Sequence, residues 1–277
     1  MLAAAVYCLS AKNTARIPLF HGRLLHAAFF SLLQGISPEL SAYIHDTQRQ
    51  KAFAISPLSG IQPPKTKMQN HRHPTSLTAH EGDMVFWRIS AWNDLLAQSL
   101  QAIRPGTPIR IGGLDLSIEN CMMSPEEHRE AGCLSEEDLI AGCLSVPSIR
   151  EITFSFRSPV SFRCFDRDFP WPLPEYIFGS LADKWALTER PLPIHRQDIR
   201  PLVRDLPPRR WHGQSRTVYL KEDRGTLAFE GEFSFDTSHL AREEQQLLLL
   251  LAQFSAFSGV GRLTGHGLGQ TRARYLG

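Results

Sequence analysis

The sequence predicts an α+β protein made of two tandem βαββαβ units, and three observations predict it. The chain has 277 residues, room for about two domains. Its composition is ordinary for a globular protein, 42% apolar and 21% charged. Strand-like and helix-like stretches then follow one another in the same order twice. That order is the split βαβ, or ferredoxin-like (RRM-like), pattern. The two units are expected at residues 1–123 and 148–277, with 124–147 between them.

In the first unit, Ala3 to Leu9 reads as a buried strand. It lies in an unbroken apolar run from Met1 to Leu9, far short of the roughly 20 residues a membrane-spanning helix needs. The run also lacks the basic leading segment of a secretory signal. Gly22 to Gly35 puts Leu24, Leu25, Ala28, Phe29, Leu32 and Leu33 at helical spacing, with glycine at the end. Lys51 to Ile55 is a short strand. The Pro-rich, basic stretch 57–80 is a loop or hairpin connection. Met84 to Ile89 is a strand, and Trp92 to Ile103 an amphipathic helix stopped by Pro105-Gly106. Pro108 to Met122 completes the unit as a strand or strand pair. Residues 124–147 carry Glu126, Glu127, Glu130, Glu136, Glu137 and Asp138. They read as an acidic, helical surface excursion.

The second unit opens at Ile149 to Arg157, where Ile152, Phe154 and Phe156 alternate with polar neighbours. Glu175 to Leu187 is helical. Thr217 to Leu220 and Thr226 to Phe235 are strands around a Glu-Asp-Arg-Gly turn. Ser238 to Phe257 is a long helix, with Ser238 as its expected N-cap and Gly259 as its stop. Gln270 to Tyr275 is the last strand. Sheets of this type commonly offer one face to RNA.

Net charge is only +2, but it is unevenly spread. From Thr47 to His80 there is no acid, while Arg49, Lys51, Lys65, Lys67 and Arg72 are present. Arg196 to Arg216 holds six arginines against Asp198 and Asp205. Such segregation suits a polyanion along one face, and equally two solvated loops. The five cysteines are odd in number, widely spaced and without a C-x-x-C pair. Neither a disulfide framework nor a structural zinc site is expected, and a reducing cytoplasm is. Two of them sit in repeated AGCLS pentapeptides, 131–135 and 141–145, which read as a local duplication in helical sequence.

The most informative stretch is SGVGRLTGHGLGQTRAR, residues 258–274. Glycine lets backbone amides approach an anion closely. The stretch is not a P-loop, and it is not a dinucleotide fingerprint, since it follows a helix instead of opening one. Read by spacing alone, it is a glycine-rich turn between the last helix and the last strand. The segment LAQFSAFSGVGRLTGHGLGQTR does, however, resemble the C-terminal signature of the CRISPR-associated repeat-RNA processing endoribonucleases, part of the repeat-associated RNA-binding superfamily. SPVSFR at 158–163, WPLPEYIFGSLADKW at 171–185 and YIHDTQRQKAFAISPL at 43–58 resemble other segments of that family. The resemblance spans residues 20 to 275. It implies a tandem ferredoxin-like fold that cuts repeat transcripts into guide RNAs.

The chemistry implied is that of RNA attacking itself. The 2′-hydroxyl is the nucleophile, so no metal and no cofactor is expected. The protein must supply a base, an acid and charge stabilisation, and histidine can serve as either proton carrier near neutrality. The resemblance places His45 where the family carries its catalytic histidine, and Lys51 where a family lysine can stabilise the phosphorane. The products implied are a 2′,3′-cyclic phosphate and a 5′-hydroxyl. Some relatives place a tyrosine on the first helix, where an ungapped count from His45 gives Phe30. Phenylalanine has no proton to give, and His26, four residues earlier, is the candidate substitute. For RNA binding the candidates are Lys65, Lys67 and Arg72, with Gly261, Arg262, Gly265, His266, Gly267, Gly269, Gln270 and Arg272 of the tail. Partners implied are the repeat RNA and effector-complex subunits, with no membrane and a monomeric or weakly dimeric chain. The rival reading is a non-catalytic scaffold subunit of the same superfamily that holds guide RNA.

Overall fold

The computed structural model describes residues 1–46, 51–61, 75–188, 192–221 and 224–277. The first unit begins with β1 (Leu2–Ala11), buried along almost its whole length, and β2 (Ala15–Pro18). Two helices follow, α1 (Gly22–Ile36) and α2 (Pro38–Asp46). Then come β3 (Phe53–Ile55), β4 (Ser76–Ala79) and β5 (Met84–Ala91). Helix α3 (Asp94–Ala102) starts at Asn93, whose side chain accepts from the Leu96 amide. Strands β6 (Pro108–Ile111) and β7 (Leu114–Met122) close the unit. The sheet order β3-β5-β1-β7-β6 is the ferredoxin order with one added edge strand, while β2 and β4 pair as a separate ribbon.

The acidic segment departs from expectation. It is not helical throughout: β8 (Gly132–Leu134) pairs with the start of β1 before α4 (Glu136–Leu144) begins. The two AGCLS copies therefore adopt different structures. The first holds β8 and ends in Ser135, the N-cap of α4; the second is the end of α4 with Ser145 as its C-cap. Pairing with β1 overrides the local preference of an identical pentapeptide.

The second unit has β9 (Glu151–Val160), a hairpin of β10 (Phe162–Cys164) and β11 (Arg167–Phe169), and α5 (Pro174–Trp185). Helix α6 (Arg196–Arg204) follows, then β12 (Pro208–Lys221), β13 (Arg224–Asp236), α7 (Arg242–Ser258) and β14 (Thr271–Leu276). The order β12-β13-β9-β14 repeats the ferredoxin arrangement. The N-cap of α7 is Ala241 and not Ser238, whose hydroxyl goes to Asp236 instead. Gly259 does stop α7, with φ of 62°. In the arginine-rich stretch, four arginines meet acids of this chain: Arg196 with Asp183, Arg209 and Arg210 with Glu151, and Arg216 with Glu230.

Each unit has its own apolar core, and α7 joins them. Its Phe254 meets Trp92 of the first unit edge-on at 6.0 Å. Beyond the core, β5 grips the end of α7. Ser90 donates to the Phe257 carbonyl and the buried Arg88 to that of Ala256. From the other side Lys184 of α5, fully buried, donates to the carbonyls of Ser258 and Gly259 at 3.1 and 2.9 Å. These bonds satisfy the orphan carbonyls of a helix end. They also fix where the glycine-rich loop starts.

Candidate active site

Phe30 stands at the centre of the candidate site. His26 and Phe30 share one face of α1, four residues apart, with ring centroids 4.8 Å apart. His45, exposed on the last turn of α2, presents its ring edge-on to Phe30 at 5.8 Å. Lys51 lies two residues before β3, and its Nζ is 4.8 Å from the centre of the same ring. Three elements thus bring two imidazoles and an ammonium around one phenyl group.

The glycine-rich loop closes the site from the second unit. His26 Nδ1 is 2.8 Å from the Gly265 carbonyl. A carbonyl only accepts, so Nδ1 carries the proton and Nε2 the lone pair. The His266 ring stacks on His26 at 4.2 Å, inclined by 10°. Burial lowers the pKa of His26; the Gly265 bond opposes this, and repulsion from Lys51 and His45 adds to the lowering. Burial, with repulsion from His26, Arg23 and Lys51, brings His266 down to about 4. Burial also lowers Lys51. Neutral imidazoles beside a cation are proton acceptors in the making.

The loop itself docks on α1 through a close backbone approach. A Cβ on Gly22 would lie 1.7 Å from the His266 carbonyl oxygen, so only glycine fits there. Inside the loop, Gly269 is equally confined, since a Cβ would sit 1.9 Å from the Val260 carbonyl oxygen. The loop amides were expected to face an anion, but many are bonded within the protein. Those of Val260, Gly261, Arg262, His266, Gly269 and Gln270 meet Gly269, Ser180, Ser161, Leu263, Pro159 and Ser158 in turn. The glycines serve compactness first.

A cavity of about 530 Å³ opens beside this cluster, with His26, Lys51 and Phe53 on one wall. Gly261, Arg262, Gly265 and His266 of the loop line it too. Gly267 turns away, against Pro57 and Gly22. Arg262 is ion-paired with Asp168, and Arg163 lies 3.5 Å from the same carboxylate. Gln270 and Arg272 lie apart from the cavity, in a cleft with Arg88, Arg129 and Arg157. Lys65, Lys67 and Arg72 fall outside the described residues, as do His71 and His73 of the basic loop. Among the described residues no three His, Cys, Asp or Glu side chains are grouped to hold a metal ion, and no helix is long and apolar enough to cross a membrane. His21, next to the site, is a buried staple. Its ring lies 3.1 Å from the carbonyls of Pro18 and Leu19 and accepts from the Leu58 amide.

Residues 4–137 match the CRISPR Cas6 N-terminal domain, and residues 154–271 match the CRISPR-associated endoribonuclease Cas6. The chain belongs to the Cas6 family. It is an endoribonuclease that processes CRISPR repeat RNA, and the scaffold reading is not favoured. Among solved structures, a Cas6 product complex is 27% identical, with 99% of this chain and 100% of that chain aligned at a TM-score of 0.76. Thermus thermophilus Cas6 is 27% identical over 99% of this chain and 98% of that one, at 0.70. A Cas6 substrate mimic complex, 22% identical over 99% of both chains at 0.70, shares the fold of two tandem ferredoxin-like domains. Comparison by sequence with curated proteins gives no match.

Sequence reasoning missed several residues that line the cavity: Arg163, Tyr176, Ser180, Asp183 and Arg196. Arg163 lies in the SPVSFR segment that carries part of the Cas6 resemblance, and that was its one signal. Arg196 was visible only as charge. Its guanidinium lies over α5, where a Cβ on Gly179 would come within 3.0 Å of it.

Proposed function

We propose that cleavage proceeds by attack of the 2′-hydroxyl on the adjacent phosphate, with His26, His45 and Lys51 as the working groups. The observation that carries this reading is their convergence around Phe30, beside a cavity of nucleotide size. His26, with Nδ1–H held by Gly265, takes the 2′-hydroxyl proton on Nε2. His45, reached by solvent, returns a proton to the departing 5′-oxygen. The 2′-oxygen-to-phosphorus bond forms as the bond to the 5′-oxygen breaks. The products are a 2′,3′-cyclic phosphate and a 5′-hydroxyl. Lys51 stabilises the charge that builds on the phosphorane. His26 thereby fills the role that Phe30 cannot. The tail residues Arg262, Gln270 and Arg272, with Lys65, Lys67 and Arg72, hold the RNA through phosphate and base contacts. The same reading takes 1–123 and 148–277 as the two domains, with 124–147 between them. It takes effector-complex subunits as protein partners, a monomer or weak homodimer as the working form, and the cytoplasm as the compartment.

The test is single-turnover cleavage of a labelled repeat RNA in excess EDTA, run beside gel-shift affinity. Proton transfer contributes about 10² to 10⁴ in rate. His26→Ala and His45→Ala are each expected to lose that much while binding stays near wild type, and Lys51→Ala to lose less rate and some affinity. If none of the three slows a wild type that cuts, the working groups lie elsewhere.

A further inference from the structure

Phe165 is the most exposed large apolar side chain among the described residues, at 96%. It forms, with Asp166, the two-residue turn between β10 and β11, whose closing pair is Cys164 and Arg167. Both turn residues have positive φ, 45° for Phe165 and 60° for Asp166. A turn of this kind favours Asn-Gly, and a bulky residue in the left-handed region is a genuine outlier. Phe165 therefore neither buries its ring nor suits its backbone. Folding alone gives no reason for a phenylalanine here.

The position of the tip supplies one. Strand β10 carries Phe162 and Arg163 into the wall of the cavity that holds His26 and Lys51. The tip is three residues beyond Phe162, about 10 Å at about 3.3 Å per residue. It is also braced. Arg163 lies 3.7 Å from Asp166 and 3.5 Å from Asp168, and Asp168 is paired with Arg262 of the glycine-rich loop. At the base of the hairpin, Phe162 and Phe169 pack on Tyr176 at 5.7 and 5.1 Å. The tip is thus held in fixed relation to the loop whose Gly265 holds His26. The hairpin itself carries Arg163 and Arg167, and Arg262 is tied to it through Asp168. An exposed aromatic beside a cavity lined by Lys51, Arg163, Arg196 and Arg262 suits the flat face of a nucleobase next to its phosphates.

We infer that Phe165 is a specificity-determining stacking residue, which takes an unpaired base of the RNA close to the cleaved bond and so sets which phosphate reaches the catalytic cluster. The inference rests on the RNA-cleaving reading above. The probe is a single-repeat RNA carrying 2-aminopurine, in turn, at each unpaired position flanking the cut. Its affinity, fluorescence and single-turnover cleavage are measured with wild type, Phe165→Trp, Phe165→Leu and Phe165→Asn. Stacking of one base predicts that Phe165→Asn weakens binding about 5- to 140-fold, removes the quenching at one position and blurs the cut site. Phe165→Trp should keep all three, and Phe165→Leu should fall between. Phe165→Asn should melt no lower than wild type, because asparagine suits the positive φ. Wild-type binding, quenching and cut position in Phe165→Asn would overturn the inference and leave the ring for a protein contact. If wild type itself neither binds nor cuts the RNA, the functional reading fails with it. If wild type cuts and His26→Ala does not, the outcome at Phe165 judges this inference alone.

Discussion

Replacing Gly22 by alanine tests whether the second unit assembles the catalytic cluster. The added Cβ would lie 1.7 Å from the His266 carbonyl oxygen and 2.6 Å from its carbonyl carbon, both backbone atoms. Real Cβ atoms do not approach within 3.0 Å, so helix and loop must part by at least about 1.3 Å. Gly265 precedes His266 directly. The same displacement takes its 2.8 Å bond to His26 to about 4 Å, beyond hydrogen-bonding range. His26 then loses the partner that fixes its tautomer. Misplacement of this size costs about 10² in rate. The helix itself is not harmed, because alanine is favoured over glycine in a helix by about 1 kcal/mol. Gly35, near the other end of α1 with nothing within 4 Å of its Cβ position, provides the control. Gly35→Ala should hold or raise the melting temperature and leave cleavage unchanged. The assay is single-turnover cleavage with thermal melts of wild type and both variants. Cleavage by Gly22→Ala at the wild-type rate would refute the idea that loop docking positions His26.

Two pH effects follow from charged groups away from the site. Burial brings Lys184 down to about 7, against about 10.4 for a free lysine. Between those values the unfolded chain binds the extra proton, so this group makes stability rise as pH climbs from about 7 to about 10.4. The melting temperature of wild type should gain on that of Lys184→Met across this range, and parallel curves would contradict it. Glu232 is held down to about 2, chiefly by hydrogen bonds from Arg274 and Ser155. Its contribution is present above about pH 4.3 and disappears as pH falls toward 2. Glu232→Gln should therefore flatten the acid limb of a melting curve series between those values. The effect should be small, because the carboxylate is 44% exposed and screened by water.

The sequence made the long, periodic elements legible: β1, α1, β5, α3, β9, α5, β13 and α7 all lie where alternation or helical spacing put them. What escaped was short or contradicted its own local signals. Helix α2 has nine residues, with only Ser41 and Ile44 buried among those described. Helix α6 contains Pro201 and three arginines, so its buried pair Ile199 and Val203 is hard to see. The hairpin of β10 and β11 has three-residue strands and a Phe-Asp turn in place of the usual glycine or asparagine. The ribbon of β2 and β4 joins four-residue strands about 60 positions apart in sequence, a pairing no local pattern announces. At the candidate site, resemblance and not spacing singled out His45 and Lys51. The partnership of His26 with Gly265 had no sequence signal at all, since it crosses from one unit to the other.

That partnership has a consequence in time. The His26 bond closes a separation of 239 residues. At a synthesis rate of about 5 to 20 residues per second, Gly265 leaves the ribosome's catalytic centre about 12 to 48 s after His26. For most of that interval the growing chain already contains Phe30, both histidines and the lysine, yet lacks the carbonyl that fixes His26. With His26 in the role proposed above, a chain still being translated cuts RNA poorly until Gly265 has been added.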